Sequence, residues 1–110
     1  MRIFIAGPYG DHNSKEVIAQ NVARADAVAR DLMAMGHWVF CLHKMSWGWE
    51  DDGRLTREQH LVNQLTFIHH WAEVIYRIEG DSPGSDGEQK LAEALGLPVF
   101  TSYDEVPDGV

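Results

Sequence analysis

Three short segments combine glycine, serine, histidine and carboxylate side chains in patterns that can do chemistry. In the clearest of them, three glycines and two serines within residues 80–87 precede Glu88. Serine hydroxyls and free backbone N–H groups at the start of a helix suit a sugar hydroxyl or a phosphate. A carboxylate kept ionised by the positive end of the helix dipole could attack an anomeric carbon. Ser85 and Glu88 are also spaced as a helix capping box, and the spacing alone favours that structural interpretation.

The second segment follows the first apolar run and includes Gly7, Pro8 and Tyr9. Glycine lets a ligand approach the backbone closely, and a helix start after it favours anions. The segment lacks the spacing of the dinucleotide-binding fingerprint and of the P-loop. A plain strand-to-helix turn is therefore an equally good interpretation.

The third segment, residues 43–54, begins with His43 and contains Trp47 and Trp49 separated by one glycine. Two indoles in a polar loop are unusual because indoles favour burial. They could form a stacking wall for a flat ligand such as a nucleobase. They could equally pack as a lid on the domain or in a dimer contact, and both interpretations stay open.

Histidine and cysteine patterns argue against a metal site. The six histidines include no H-x-x-x-H spacing, and the adjacent His69 and His70 would point about 100° apart on a helix. The single cysteine, Cys41, excludes an internal disulfide, and its apolar neighbours predict a small core residue. We expect neither a metal nor a cofactor.

Charge and hydropathy limit the partners and the location. The 110 residues include nine Lys and Arg against seventeen Asp and Glu, for a formal net charge of −8. A chain this acidic has no electrostatic footprint for a nucleic-acid polymer or an anionic membrane. No apolar stretch approaches the roughly 20 residues of a membrane span, and no signal peptide pattern is present. We expect a cytoplasmic protein with one domain over residues 1–110, whose polar tail, residues 102–110, is loose or docked on a neighbour.

Apolar periodicity predicts strands that alternate with helices. Strands are predicted at 3–6, 37–42, 73–78 and 98–101, and helices at about 14–35, 57–72 and 86–95. Asn13 with Glu16, and Thr56 with Gln59, are spaced to cap the first two helices. The alternation predicts a three-layer α/β/α sandwich with a four- to five-stranded parallel, Rossmann-like (flavodoxin-like) sheet. Ligands of such sheets bind at the carboxyl ends of the strands, where all three segments must lie.

The chain resembles the nucleoside 2-deoxyribosyltransferase-like superfamily over roughly residues 1 to 100. The opening Ile5-Ala6-Gly7-Pro8 resembles that of a small bacterial and phage branch related to 2′-deoxynucleoside 5′-phosphate N-hydrolases. Ser82, Gly84 and Glu88 match a Ser-x-Gly-x-x-x-Glu motif that is followed by Leu95-Gly96-Leu97-Pro98.

The resemblance implies an enzyme that acts on the N-glycosidic bond of a small nucleoside or nucleotide. Glu88 would attack C1′, and water or another base would then cleave the glycosyl ester. Glu73 stands where relatives have an aspartate that assists proton transfer, and Tyr9 would contact the nucleophile or the sugar. Ser82 would bind the sugar or a 5′-phosphate. The further candidate substrate contacts come from the three segments themselves and are Gly7, Pro8, His43, Trp47, Trp49, Gly84 and Ser85.

The resemblance also implies a homodimer or a higher homo-oligomer, because relatives complete the site across an interface. Trp47 and Trp49, with the helix that bears Ile68 and Trp71, would supply its apolar surface. The related 5′-phosphate N-hydrolases carry arginines in the first loop; this loop has none, which argues against a 5′-phosphate and leaves a nucleoside or another ribosyl compound open. The alternatives are a non-catalytic nucleotide-binding sensor and, more weakly, metal-assisted hydrolysis through His43.

Overall fold

A computed structural model describes residues 1–10 and 14–109. Its strands are β1 (Arg2–Ala6), β2 (Trp38–Cys41), β3 (Val74–Arg77) and β4 (Val99–Phe100). Its helices are α1 (Lys15–Ala34), the short α2 (Leu42–Met45), α3 (Arg57–His70) and α4 (Pro83–Ala94), with 3₁₀ turns at Trp49–Asp51 and Tyr103–Glu105. The predicted strands and helices are confirmed, whereas α2 was not predicted.

The four strands form one parallel sheet in the order β2-β1-β3-β4. The central strand β1 is apolar on both faces, and Ile3, Phe4 and Ile5 are almost completely buried. Burial on both faces is expected of a parallel strand that is covered by helices on each side. The predicted parallel α/β fold is therefore confirmed, with four strands.

Helices cover both faces of the sheet, which confirms the three layers. On one face α1 packs through Ala25, Ala29 and Leu32 against β1 and β3, and Cys41 lies partly buried beside them. On the other face α3 and α4 pack through Ile68 and Ala92. In the helix expected to supply apolar interface surface, Ile68 is fully buried in the core, whereas Leu61 and Val62 are exposed.

The start of α4 differs from the sequence prediction and changes the role of Glu88. The helix begins at Pro83, and the Oγ of Ser82 caps it by accepting a hydrogen bond from the N–H of Ser85. Proline suits this first position because its fixed φ is already helical. The predicted Ser85–Glu88 capping box is therefore wrong, and Glu88 lies in the second turn with no capping role.

The other predicted caps have different outcomes. Thr56 and Gln59 form the predicted capping box at the start of α3. Asn13 lies outside the described residues, and α1 is capped by Ser14, whose hydroxyl accepts a hydrogen bond from the N–H of Val17.

The polar tail is docked on its own chain. Val106 is buried in the α1-side core, and the ring of His37 contacts the carbonyl oxygen of Pro107 at 2.6 Å. The N–H of Gly109 donates to the carbonyl of Met35 at 2.7 Å. These contacts hold residues 106–109 against α1 and β2.

Candidate active site

The loops after β1 and β3 pack against each other at the carboxyl edge of the sheet. A side-chain carbon on Gly7 would lie 2.8 Å from the Cβ of Ile78, which is too close for any residue but glycine. Gly80 has φ +132°, and a side-chain carbon there would lie 2.7 Å from the Cγ of Pro8. Two glycines therefore permit the close approach of the loops that build this edge.

His43 lies directly after β2, in the first turn of α2, and is 6% exposed. Its Nε2 is 3.1 Å from the carbonyl oxygen of Gly7 and 3.0 Å from that of Pro8. Carbonyl oxygens only accept hydrogen bonds, so Nε2 must carry a hydrogen. Burial lowers the pKa of His43, which favours the neutral ring with a bare Nδ1. This Nδ1 is buried and has no hydrogen-bond partner within the described residues.

The serines of α4 connect its first turn to the same carbonyl group. The Oγ of Ser85 donates to the carbonyl of Gly7 at 3.0 Å, and the Oγ of Ser82 donates to the Oγ of Ser85 at 3.0 Å. The carbonyl of Gly7 therefore binds both Ser85 and His43. The carbonyl oxygen of Gly7 thus connects the second segment to His43 of the third segment and to Ser85 of the segment that leads to Glu88.

Glu88 lies one turn beyond Ser85 on α4 and is 5% exposed. Burial raises its pKa to about 7, although the Ser85 hydroxyl and the positive charge of Arg77 both lower it. The expectation that the helix dipole keeps this carboxylate ionised is therefore corrected, because Glu88 lies in the second turn of α4 and loses its solvation there. A carboxyl group with a pKa near neutrality is typical of a catalytic acid, base or nucleophile.

The sequence reasoning missed Arg77, the last residue of β3. Its buried guanidinium donates to the carbonyls of Ile78 and Gly80 and to the carboxylate of Asp86. An arginine in a strand that is otherwise apolar, just before a glycine-rich loop, is the signal that could have found it. Arg77 is the cationic side chain that acts on Glu88 within the described chain.

Tyr9 lies in the loop after β1, and Trp47 and Trp49 lie in the segment after β2 and α2. The ring of Tyr9 stands 5.9 Å from the ring of His43, and its carbonyl accepts a hydrogen bond from the amide of Asn21. Trp47 and Trp49 follow α2 and are 50% and 43% exposed, so they are not buried as a lid on the core. Gly84 lies in the exposed first turn of α4.

Glu73 is not brought to the site, and its predicted placement needs correction. It precedes β3, and its carboxylate accepts a hydrogen bond from the N–H of Arg2 and pairs with the Arg2 guanidinium at 3.5 Å. Four strand residues, about 13 Å, separate this amino edge from Arg77 at the carboxyl edge. Within one chain, therefore, Glu73 cannot assist Glu88.

The described residues show no metal cluster and no membrane span. No three His, Cys, Asp or Glu side chains converge on a point that could hold an ion, within residues 1–10 and 14–109. In the same part of the chain, no helix combines the length and the apolar character needed to cross a bilayer.

The fold and the site define a parallel α/β protein with a buried, partly protonated carboxyl group at the carboxyl edge of its sheet. The structure is similar to that of a 2-deoxyribosyltransferase from the psychrotolerant bacterium Bacillus psychrosaccharolyticus, with 28% sequence identity and a TM-score of 0.61. The match covers 90% of this chain and 69% of that one, and that enzyme is described as a biocatalyst for nucleoside synthesis. No protein-family model matches the sequence, and no curated protein shows significant similarity to it. The structural match supports the resemblance to the nucleoside 2-deoxyribosyltransferase-like superfamily.

Proposed function

We propose that this protein is a cytoplasmic enzyme that cleaves the N-glycosidic bond of deoxyribonucleosides or their 5′-monophosphates, with Glu88 as nucleophile. The observation that carries the proposal is a buried carboxyl group with a pKa of about 7, at the carboxyl edge of a sheet similar to that of a 2-deoxyribosyltransferase. The Ser82, Gly84 and Glu88 spacing supports the same assignment.

The proposed reaction has two steps. The ionised carboxylate of Glu88 attacks C1′, and the C1′–N bond breaks with its electron pair going to the base, which takes up a proton. Water or a second base then attacks C1′ and loses a proton to solvent, which replaces the proton that the leaving base took from solvent, and the ester bond breaks to return the carboxylate. Water makes the enzyme a hydrolase, whereas a second base makes it a transferase.

Burial of Glu88 favours the first step. A carboxylate that has lost its water shell is destabilised, whereas the glycosyl ester is neutral and tolerates the buried position. Since the attack needs the ionised form, the rate of the first step should rise with pH up to about 7 and level off above it.

The proposed substrate contacts come from groups in the loops at the same edge of the sheet as Glu88. Ser82 and Ser85 offer hydroxyl groups to the sugar, and the bare Nδ1 of His43 accepts a hydrogen bond from a substrate hydroxyl or N–H. Tyr9 lies beside His43, and the exposed indoles of Trp47 and Trp49 would stack on the base. Gly7, Pro8 and Gly84 let the sugar approach the backbone.

The preferred substrate in this proposal is a nucleoside. The first loop contains no arginine, and the guanidinium of Arg77 is directed at protein acceptors. A 5′-phosphate is mostly a dianion at pH 7 and needs hydrogen-bond donors, whereas the bare Nδ1 of His43 only accepts.

Chromatography of free base, after incubation with nucleosides and 5′-monophosphates, tests the proposal. We expect E88Q to lose activity by about 10³-fold or more, as when a nucleophile is removed. E93Q, which alters an exposed carboxylate on the same helix, should retain the full rate. An added acceptor base distinguishes transfer from hydrolysis. The proposal fails if no compound yields free base, or if E88Q keeps the wild-type rate.

A second candidate is a non-catalytic binding module for the same ligands. It is favoured by the position of Glu73, because the group expected to assist proton transfer is absent from the site in one chain. A ligand that raises the melting temperature without releasing base would support this alternative.

The proposal includes a homodimer or a higher homo-oligomer that uses the exposed apolar surface near the site. Trp47, Trp49, Leu61 and Val62 are all exposed. Light scattering after gel filtration measures the mass of the particle, and a monomer at micromolar concentration would contradict this part of the proposal.

A further inference from the structure

We propose that Arg77 is a positioning residue, whose guanidinium fixes the β3–α4 loop and thereby the orientation of the Glu88 carboxyl group. This inference rests on the proposed function of Glu88. Arg77 contacts no reacting atom, and it acts through the backbone that leads into α4.

The guanidinium of Arg77 is held by several hydrogen-bond acceptors rather than by a single ion pair. It is buried, and it donates to the carbonyls of Ile78 and Gly80, the latter at 2.9 Å. It also contacts Oδ1 of Asp86 at 3.2 Å, but that carboxylate is 64% exposed and therefore well solvated. A buried charge is tolerated only when its N–H groups are satisfied, and the planar fork of arginine reaches several acceptors at once.

The loop that Arg77 holds is the one that positions the site. Gly80 packs closely against Pro8 of the first loop, and Ser82 then caps α4. Ser85 and Glu88 follow on successive turns of that helix. A change in the path of residues 78–80 would therefore move the start of α4 and, with it, the carboxyl group of Glu88.

Arg77 also acts on Glu88 through its charge. In the described chain, two groups act on this carboxyl group against the effect of burial: the Ser85 hydroxyl on α4 and the Arg77 guanidinium on β3. The positive charge lowers the pKa of Glu88 and so enlarges its reactive, ionised fraction near pH 7. The effect of Arg77 on the position of Glu88 can be separated from the effect of its charge. A lysine keeps the positive charge but lacks the planar guanidinium that donates to several acceptors at once.

The variants R77M and R77K, compared with the wild type, test these two effects. The Glu88 carboxyl carbon is followed by ¹³C NMR during a pH titration, and its signal is identified by its absence in E88Q. We expect R77M to raise the pKa of Glu88 by about one unit, and R77K to leave it near the wild-type value. At a pH well above the pKa of Glu88 in every variant, where the carboxyl group is fully ionised, both variants should lower kcat by about tenfold with little change in KM, because the loop is no longer held.

Two outcomes would overturn the inference. One is a folded R77M whose Glu88 titrates as in the wild type; the other is an R77K with the wild-type kcat. If R77M does not fold, R77K decides the matter, since it keeps the charge and makes a smaller change. The titration needs no substrate, so a wild type that is inactive on every nucleoside would refute the proposed function and still leave the effect of Arg77 measurable.

Discussion

Two glutamates lie near opposite ends of β3 and differ in nearly every physical property. Glu73, at the amino edge, is partly exposed, and the N–H and the charge of Arg2 lower the pKa of its carboxyl group. Glu88, at the carboxyl edge, is buried, and burial raises its pKa to about 7. The residue type is the same, but hydrogen bonding to Arg2 lowers the pKa of one carboxyl group and burial raises the pKa of the other.

The topology of the sheet explains where the difference arises. Every strand is parallel, so the loops that follow β1, β2 and β3 meet at one edge and enclose the groups between them. Glycines at positions 7 and 80 let these loops pack without a gap. The amino edge has no comparable enclosure around Glu73, and water therefore screens its ion pair with Arg2.

The largest expected effect is on the free energy of unfolding, and it tests whether burial of the ionised Glu88 carboxylate destabilises the protein. Its folded pKa of about 7 lies above the unfolded value of 4.5, so the folded state holds a proton that the unfolded state has lost. Stability should therefore fall as pH rises from about 4.5 to 7, by about 3 kcal/mol in all. E88Q, which stays neutral, should be more stable than the wild type by about that amount at pH 8 and equal to it at pH 4.

Urea unfolding of E88Q and of the wild type at the two pH values measures this difference. A gain in stability at pH 8 with a loss of activity would show that burial serves reactivity at the expense of stability. Equal stability at both pH values would mean that Glu88 is well solvated, and the contrast with Glu73 would disappear.

A smaller effect is expected from His43, which shares the carbonyl of Gly7 with Ser85. In H43Q the side-chain N–H can still donate to the carbonyls of Gly7 and Pro8, but with its nitrogen there the amide oxygen does not lie at the position of Nδ1, so the acceptor at that position is lost. We expect kcat/KM to fall by about tenfold, because one hydrogen bond to the substrate is removed. The melting temperature should change little. Steady-state kinetics and calorimetry check both statements, and an unchanged kcat/KM would exclude His43 from the substrate site.

The titration of His43 should lower the stability as the pH falls, whereas the titration of Glu88 should lower it as the pH rises. Its folded pKa is lowered, so its contribution is complete above the unfolded value of 6.5. That contribution should be lost as the pH falls below 6.5, since the unfolded chain takes up a proton first. H43Q should lack this part of the pH dependence in urea titrations.

The smallest effect is expected at the amino edge. E73Q removes an exposed ion pair with Arg2, and such pairs contribute little to stability. Because the folded pKa of Glu73 is lowered, any loss of stability should appear above the unfolded value of 4.5. Activity should equal that of the wild type in the assay used for E88Q. A severe loss of activity would place Glu73 in a site that is completed by another copy of the chain.

Much of the framework could be predicted from local patterns. Short apolar runs that alternate with amphipathic segments predicted the strands and α1, α3 and α4. Periodicity is a local property, so the five buried residues of α1, namely Ile18, Val22, Ala25, Ala29 and Leu32, could be predicted from spacing alone. The rule that ligands bind at the carboxyl ends of parallel strands then selected the loops that carry His43, Ser82 and Glu88.

Other properties were decided only by the tertiary structure. Spacing allowed Glu88 to be a capping residue, whereas the actual cap is Ser82, and the reactive state of Glu88 depends on burial by neighbours distant in sequence. The tautomer of His43 follows from two carbonyls that are more than thirty residues away. Within one chain Glu73 lies at the opposite edge of the sheet from Glu88, and Arg77 was revealed by the acceptors around it. Solvation and hydrogen-bond partners are set by the packing of several segments, so residue types and local spacing cannot specify them.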